Sequence, residues 1–144
     1  MPDICHLITI ETAPDIIYPF VASPAGLRQW WAEDVTTPDA TGTVELGFFS
    51  RATVYRLQPV DLQADRTARW ACTTGKEWQG TTIETRLEPS GAGTRLRFTH
   101  AGWREATEYF TACNTTWGAL LFRLKAVAEG RSRGPLFSRD GLAS

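Results

Sequence analysis

The chain has 144 residues, 42% of them hydrophobic and 22% charged, which is typical of one folded domain and excludes a disordered segment. Fifteen basic and sixteen acidic side chains leave a net charge of -1, so there is no basic surplus for binding nucleic acid through its phosphates. The aromatic content is unusual, with six Trp, seven Phe and three Tyr. This is more flat apolar surface than a small core requires, and it is a first indication of a ligand site.

The N-terminal sequence has no basic segment followed by an apolar one, so we expect no signal peptide. The longest apolar run, 16–22, is interrupted by Pro19 and is far too short to span a membrane. Cys5, Cys72 and Cys113 are odd in number and widely spaced, which favours neither a disulfide framework nor a metal-binding pair. We therefore predict a reduced, cytoplasmic protein.

The first predicted elements are one strand and two short helices. Residues 4–11 alternate between two faces, one of them strongly apolar, as a strand does. Pro14 begins a helix that extends to about Ala22, and Pro19 within it predicts a kink or an early end. Ser23 is suited to cap a second short helix, which has Pro24 in its first turn and extends to about residue 31.

Five segments with alternating apolar and polar residues follow. In the clearest of them Ile83, Thr85 and Leu87 point to one side, and charged residues point to the other. Such alternation is typical of antiparallel strands that have one face in water. The predicted strands cover 43–49, 52–59, 66–73, 81–88 and 94–101.

The last predicted element is a helix over 105–129, because apolar residues recur there at intervals of three and four. Gly130 is a suitable residue to end it. Gly118 lies inside this helix at a cost of about 1 kcal/mol relative to Ala, which indicates a close approach to the sheet or to a ligand. We place a single domain at 1–137 and a flexible tail at 138–144, since Gly, Ser and Arg are frequent beyond 130.

Together these elements predict an α+β fold, in which a curved antiparallel sheet of six or seven strands wraps around the long C-terminal helix. An antiparallel sheet with one wet face must cover its apolar face, and the terminal helix is the only element long enough to do so. If the sheet is strongly curved, a space remains between sheet and helix unless side chains fill it.

Five segments, in the same order, resemble proteins similar to the activator of heat-shock-protein (Hsp) ATPase. They are SPAGLRQWW at 23–31, EWQGT at 77–81, GTRL at 93–96, FTHAGW at 98–103 and WGALL at 117–121. The resemblance covers about 8–137 and places the chain in the START-like, or helix-grip (SRPBCC), superfamily, which includes lipid-transfer domains, polyketide cyclases and plant allergens. It implies a helix-grip fold with a cavity for an apolar small molecule between the sheet and the C-terminal helix. It does not by itself imply chaperone activation.

Strand and helix geometry independently selects residues that would line such a cavity. If Leu96 faces inward, so does His100, because side chains alternate along a strand. The resulting candidate ligand-binding residues, which are large, aromatic and sparsely polar, are Trp30, Trp31, Phe48, Trp70, Cys72, Trp78, Thr85, Phe98, His100, Trp103, Tyr109, Cys113, Trp117 and Leu120. The alternative is that the same side chains close-pack as an ordinary core.

Several of these tryptophans have two interpretations. Trp30 and Trp31 end the second short helix and form either a lid over the cavity or a plug that packs this helix onto the sheet. Strict alternation from Ile83 places Trp78 outside, unless Gly80 marks a bulge that resets the pattern. Trp103 follows the last strand and is expected near an opening.

His100 and Tyr109 are the candidate catalytic residues. His100 is expected to orient a polar ligand atom, to act as a base, or simply to be a buried histidine hydrogen-bonded to the backbone. Known nucleophile motifs are missing, and the acidic residues fall on wet faces or at element ends, which favours a binding protein over an enzyme. The spacing of the His and Cys residues supports no zinc site, and we expect neither a metal nor a cofactor.

We therefore predict a monomer or homodimer that binds a lipid-like or aromatic small molecule. One alternative is an enzyme of the cyclase or dehydratase type that uses the same cavity. Another is a co-chaperone-like module that binds a protein partner through its surface. Nucleic acid is not an expected partner, and no membrane span is expected.

Overall fold

The computed structural model describes residues 1–142, and within them it contains a seven-stranded sheet and three helices. The strands are β1 (Ile4–Ile10), β2 (Asp34–Thr36), β3 (Val44–Phe48), β4 (Thr53–Gln63), β5 (Thr67–Cys72), β6 (Thr82–Ser90) and β7 (Gly93–Ala101). The helices are α1 (Pro14–Ala22), α2 (Pro24–Arg28) and α3 (Glu108–Ala128). The predicted α+β helix-grip fold is confirmed, with both short helices directly after the first strand.

The strands lie in the order β1-β7-β6-β5-β4-β3-β2, and every neighbouring pair is antiparallel. The register places Ile83 opposite His100 and Thr85 opposite Phe98, so the inward rows of β6 and β7 coincide. Each of these four side chains is buried, as alternation along the strands predicts. This inner face of the sheet is the side on which α3 packs.

The ends of two helices differ from the prediction. Ser23 caps α2 as expected, accepting a hydrogen bond from the Gly26 N–H at 3.1 Å, but α2 ends at Arg28. Helix α3 begins three residues later than predicted, because Thr107 accepts from the Phe110 N–H at 3.1 Å and so forms its N-terminal cap. Strand β2 was not predicted. Within residues 1–142, none of the helices combines the length and hydropathy that a membrane crossing requires.

All six tryptophans are buried, so the aromatic surplus is used inside the molecule. Trp78 does not belong to a strand: it lies in the turn between β5 and β6, where Gly80 adopts a φ of 89°. The turn directs Trp78 inward, and alternation from Ile83 therefore does not apply to it.

Gly118 on α3 does not make the predicted close approach to the sheet, since a Cβ built there would lie 3.9 Å from the nearest atom, His6 Cε1.

Residues 131–142, which we call the C-terminal strap, contact the end of the sheet that carries β2 and β3. The Phe137 N–H donates to the Trp31 carbonyl at 3.0 Å, and the Glu33 N–H donates to the Phe137 carbonyl at 2.9 Å. Further along, the Ser50 N–H donates to the Arg139 carbonyl at 2.6 Å. The composition beyond Gly130 did not predict these contacts. Of the expected tail at 138–144, positions 143 and 144 lie outside the described residues.

Candidate functional site

A cavity of about 330 Å³ lies between the inner face of the sheet, α3 and the C-terminal strap. This volume is at the lower end of the roughly 300–1,000 Å³ range of small-molecule sites. It opens to solvent beside Phe49, Tyr109 and Leu142, which are 50%, 39% and 65% exposed. We call it the α3 cavity, and it is lined mainly by apolar and aromatic side chains: Trp31, Phe48, Phe49, Thr53, Tyr55, Trp78, Tyr109, Ala112, Cys113, Thr116, Trp117, Leu120, Phe137 and Leu142.

The regular elements place most of these side chains. On α3, Tyr109, Cys113 and Thr116 are separated by four and three residues, so they lie on one side of the helix. On the sheet, Phe48 pairs with Thr53 at the end of the β3–β4 ladder. Tyr55 lies two residues beyond Thr53 and therefore points to the same face. The cavity thus occupies the gap between one end of the sheet and the first half of α3.

Four aromatic rings form a continuous surface on the inner side of the cavity. The Trp117 ring centre lies 4.9 Å from that of Trp31 and 6.0 Å from that of Trp78. Trp78 in turn stacks on Tyr55, with ring centres 4.0 Å apart and planes 6° from parallel. Each of these rings therefore packs against another ring of the surface without a ligand.

The β3–β4 loop holds one edge of the cavity in an unusual backbone conformation. Phe49, Ser50 and Arg51 have φ values of 54°, 55° and 66°, each costing about 1–2 kcal/mol for a residue other than Gly. The Arg51 guanidinium offsets part of this cost by bonding to Asp34 at 2.9 and 3.0 Å and to Glu45 at 2.7 Å. The hydrogen bond from Arg51 also lowers the pKa of the buried Asp34 carboxyl. The loop that carries Phe49 is therefore fixed from the polar side of the sheet.

Two tyrosine hydroxyls are the main polar groups in the α3 cavity. The hydroxyls of Tyr55 and Tyr109 are hydrogen-bonded to each other. Burial raises the pKa of Tyr55 to about 12 and raises that of Tyr109 as well. Both phenols are therefore neutral at physiological pH and cannot act there as bases.

The cavity also contains a buried cysteine, Cys113. Burial raises the pKa of Cys113, with smaller opposing contributions from the neighbouring Trp78 and Tyr109 side chains. Trp78 Nε1 has no hydrogen-bond partner within residues 1–142. Thiolate is the nucleophilic form of cysteine, so this environment does not favour covalent chemistry.

His100 is fully buried and hydrogen-bonded on both ring nitrogens. The Trp117 indole N–H donates to Nδ1 at 3.1 Å, so the proton of the neutral ring is on Nε2. Nε2 donates to the Thr81 hydroxyl at 2.8 Å, and that hydroxyl donates to the Trp78 carbonyl at 2.6 Å. His100 is thereby bonded directly to Trp117 and, through Thr81, to the backbone of Trp78, which are two of the three tryptophans that border the cavity.

This arrangement leaves His100 no free nitrogen with which to take a proton from a ligand. Burial lowers its pKa to about 3, so the ring is neutral at physiological pH. The Trp78 ring lies edge-on to the imidazole at 4.7 Å, and Trp117 covers it from another side. Of the interpretations considered from the sequence, the buried hydrogen-bonded histidine fits this geometry, with side-chain partners in place of backbone ones.

The structure brings together part of the predicted site. Predicted residues that line the α3 cavity are Trp31, Phe48, Trp78, Tyr109, Cys113, Trp117 and Leu120. Trp30, Trp70, Thr85 and Phe98 instead border a separate void of about 20 Å³, which is too small for a ligand. Cys72, His100 and Trp103 are buried and line neither space.

The two candidate lid tryptophans have separate positions. Trp30 packs inside the molecule, where its Nε1 donates to the Phe20 carbonyl at 2.9 Å and so joins α1 to the end of α2. Trp31 is the one that borders the cavity. Trp103, expected near an opening, is buried against His100 and Phe110.

Several lining residues were missed in the sequence. Thr116 could have been found from its three-residue spacing after Cys113, and Tyr55 from its alternation with Thr53 and Leu57. Phe137 and Leu142 carried no periodic signal, since they belong to the C-terminal strap. The rim residue Phe49 lies just beyond β3, where a turn rather than alternation sets the side-chain direction.

The described part of the α3 cavity is lined by no Asp, Glu, Lys, Arg or His side chain. Within residues 1–142 there is also no cluster of three or more His, Cys, Asp or Glu side chains arranged to hold a metal ion. The cavity can therefore offer a ligand aromatic faces, apolar contacts and a few neutral hydrogen-bonding groups.

Comparison with known proteins identifies the family. The model of the family described as activator of Hsp90 ATPase homolog 1-like protein matches residues 11–129, and the chain belongs to this family. The chain is similar to the Aha1 dimer from Colwellia psychrerythraea, whose solution structure it matches with 30% identity and a TM-score of 0.81 over 91% of this chain and 98% of that one. A comparison with curated proteins finds no significant match.

Two other solved structures share the fold. CalU16 from Micromonospora echinospora has a TM-score of 0.74 and 16% identity, over 92% of this chain and 68% of that one. DynU16, a protein of the dynemicin biosynthetic locus, has a TM-score of 0.71 and 14% identity, over 89% of this chain and 48% of that one. Identities this low support the architecture alone.

Proposed function

We propose that the protein binds an uncharged hydrophobic small molecule in the α3 cavity. The observation that carries the proposal is the cavity itself, about 330 Å³ of space with aromatic sides in an otherwise closely packed interior. Membership of a family with the helix-grip fold supports the same conclusion. Each square ångström of apolar surface that a ligand and the cavity bury contributes roughly 25 cal/mol to binding.

A binding role fits the titratable groups better than an acid–base mechanism does. A general acid or base works best with a pKa near the operating pH. In and around the cavity the pKa of His100 is low, and those of Tyr55 and Tyr109 are high. The cyclase or dehydratase alternative, which assigned catalysis to His100 and Tyr109, therefore lacks a group whose pKa lies near neutral pH.

The test is a titration with N-phenyl-1-naphthylamine, a neutral dye whose fluorescence rises in apolar surroundings. Thr116 lines the cavity, whereas the adjacent Thr115 is exposed and does not line it. Both hydroxyls bond to the preceding helical turn, to Ala112 O at 3.1 Å and to Thr111 O at 3.5 Å, so the two positions are closely matched.

We expect Thr116→Phe to weaken dye binding about tenfold or more, because its ring occupies the space of the ligand, and Thr115→Phe to leave binding unchanged. Equal affinities in the two variants, or no binding by the original protein, would refute the proposal. In a separate experiment, organic extraction of the purified protein followed by mass spectrometry identifies any natural ligand that it retains.

Further proposals concern the location of the protein, its domain organisation and its oligomeric state. We propose a cytoplasmic protein with a single domain and no cofactor; the residues of the C-terminal strap up to 142 contact the sheet and belong to this domain. A homodimer is favoured over a monomer by the 30% identical Aha1 structure, which is a dimer. Light scattering coupled to size-exclusion chromatography distinguishes the two states directly.

A further inference from the structure

Two of the polar side chains that line the α3 cavity form a hydrogen-bonded pair. The chain has three tyrosines, and two of them, Tyr55 and Tyr109, come from opposite sides of the cavity, β4 and α3, to join their hydroxyls. Tyr55 is buried, whereas Tyr109 reaches the opening. The third tyrosine, Tyr18, lies on α1 and does not line the cavity.

A count of protons shows that this pair is not saturated. Each phenol hydroxyl has one proton to donate and two lone pairs to accept with. The bond between Tyr55 and Tyr109 uses one proton and one lone pair. Within residues 1–142 no other oxygen or nitrogen atom bonds to either hydroxyl, and the neighbouring Cys113 sulfur is only a weak acceptor. One hydroxyl proton thus remains for a better acceptor in the cavity.

The surroundings of the pair restrict what that acceptor can be. The described lining carries no charged side chain, so a carboxylate or phosphate placed there would lose its water without gaining a counter-charge. A neutral oxygen bears a much smaller desolvation cost. Beside the pair, the Tyr55 ring stacks on the Trp78 ring. The two rings offer a flat apolar surface to an aromatic ligand.

We infer that the Tyr55–Tyr109 hydroxyl pair selects the ligand, an inference that rests on the proposed function. The pair donates a hydrogen bond to the carbonyl oxygen of an uncharged aromatic ketone. The rings of the ligand lie against the aromatic side of the cavity. The pair therefore sets specificity, and the tryptophans contribute most of the apolar contact.

Three naphthalenes of nearly equal shape test this inference. They are 2-acetylnaphthalene, 2-isopropenylnaphthalene, in which a CH₂ group replaces the carbonyl oxygen, and 2-naphthoate, which is anionic. We expect the ketone to bind about fivefold to tenfold more tightly than the alkene, which is the effect of one neutral hydrogen bond. We expect the carboxylate to bind more weakly than both, by about tenfold or more relative to the ketone.

The ratio of ketone to alkene affinity is then measured in three variants that each lack one hydroxyl. It should fall in both Tyr55→Phe and Tyr109→Phe, because one variant removes the donating hydroxyl and the other removes the hydroxyl that orients and polarises the donor, and it should stay at fivefold to tenfold in Tyr18→Phe. Because the ratio compares two ligands on one protein, a general loss of affinity cancels. Should Tyr55→Phe fail to fold, the half-exposed position of Tyr109 still allows the test.

The outcomes separate this inference from the proposed function. If all three naphthalenes bind equally, or if the ratio survives in both cavity variants, ligand binding stands and the role of the tyrosine pair is refuted. If none of them binds and the neutral dye does not bind either, both proposals fail. If the carboxylate binds most tightly, the cavity takes anions and the inferred ligand class is wrong.

Discussion

The environment of His100 predicts a specific dependence of stability on pH. In the folded protein, burial lowers its pKa to about 3, whereas the ordinary value is 6.5. Protonation would require a second ring N–H, and the Nδ1 position already accepts the indole N–H of Trp117. The unfolded chain therefore binds a proton more readily than the folded one, and stability must fall as the pH decreases below 6.5.

The size of the effect follows from the two pKa values. Between 6.5 and 3 each pH unit costs about 1.4 kcal/mol, so the free energy of unfolding loses about 2 kcal/mol between pH 7 and pH 5 from this residue alone. The loss approaches about 5 kcal/mol near pH 3 and grows no further below that pH. Against a total stability of roughly 5–15 kcal/mol, the contribution is large enough to measure.

Urea denaturation followed by tryptophan fluorescence at pH 7, 6 and 5 measures the effect. His100→Gln removes the titratable ring while keeping one donor and one acceptor for Thr81 and Trp117, so its stability should change about 2 kcal/mol less than that of the original protein over this range. If His100→Gln and the original protein lose the same stability between pH 7 and pH 5, the argument about the buried neutral ring is wrong.

Two glycines should respond in opposite ways to substitution by Ala, as urea denaturation would measure. A Cβ at Gly26 would overlap the backbone carbonyl of Pro19, so Gly26→Ala should destabilise the protein by about 3 kcal/mol or displace α2 from α1. A Cβ at Gly118 has room, with His6 Cε1 the nearest atom at 3.9 Å, so Gly118→Ala should stabilise α3 by about 1 kcal/mol. A loss of stability in Gly118→Ala would contradict this reasoning and would support the close approach of α3 to the sheet that the sequence predicted.

The strands and the buried side of the sheet were predictable because alternation is a local property. Once Leu96 is assigned to the inner face, Phe98 and His100 follow without knowledge of any other element, and all three are buried. The stripe of Cys113 and Trp117 on α3 follows in the same way from helical spacing. Such rules determine which face a side chain occupies.

They do not determine which inward side chains meet an empty space. His100 and Trp117 are both inward, yet only Trp117 borders the cavity, because Trp78 enters from a turn and covers the imidazole. The direction of Trp78 depends on the local hydrogen bonds of the β5–β6 turn and on its stacking with Tyr55. Contacts between distant segments of this kind leave no periodic signal in the sequence.

The C-terminal strap illustrates the same limit for a whole segment. Its Gly, Ser and Arg content is typical of loose chain, and no apolar period marks it as structured. Phe137 nevertheless packs edge-on against Phe48 at 5.0 Å and lines the cavity. A single aromatic residue can anchor an otherwise polar segment by packing against an exposed hydrophobic surface. Here that surface forms only when the sheet has assembled.

The cavity survives in a well-packed molecule because its sides are held independently of any occupant. Trp117 is anchored by the hydrogen bond to His100, Trp78 by its stacking on Tyr55, and the rim by the bonds from Arg51 to Asp34. Collapse of the cavity would break these contacts. The second void of the core, which Trp117 also borders, has a volume of only about 20 Å³. The contrast within one core indicates that the larger space is specified by its anchors and is not a packing defect.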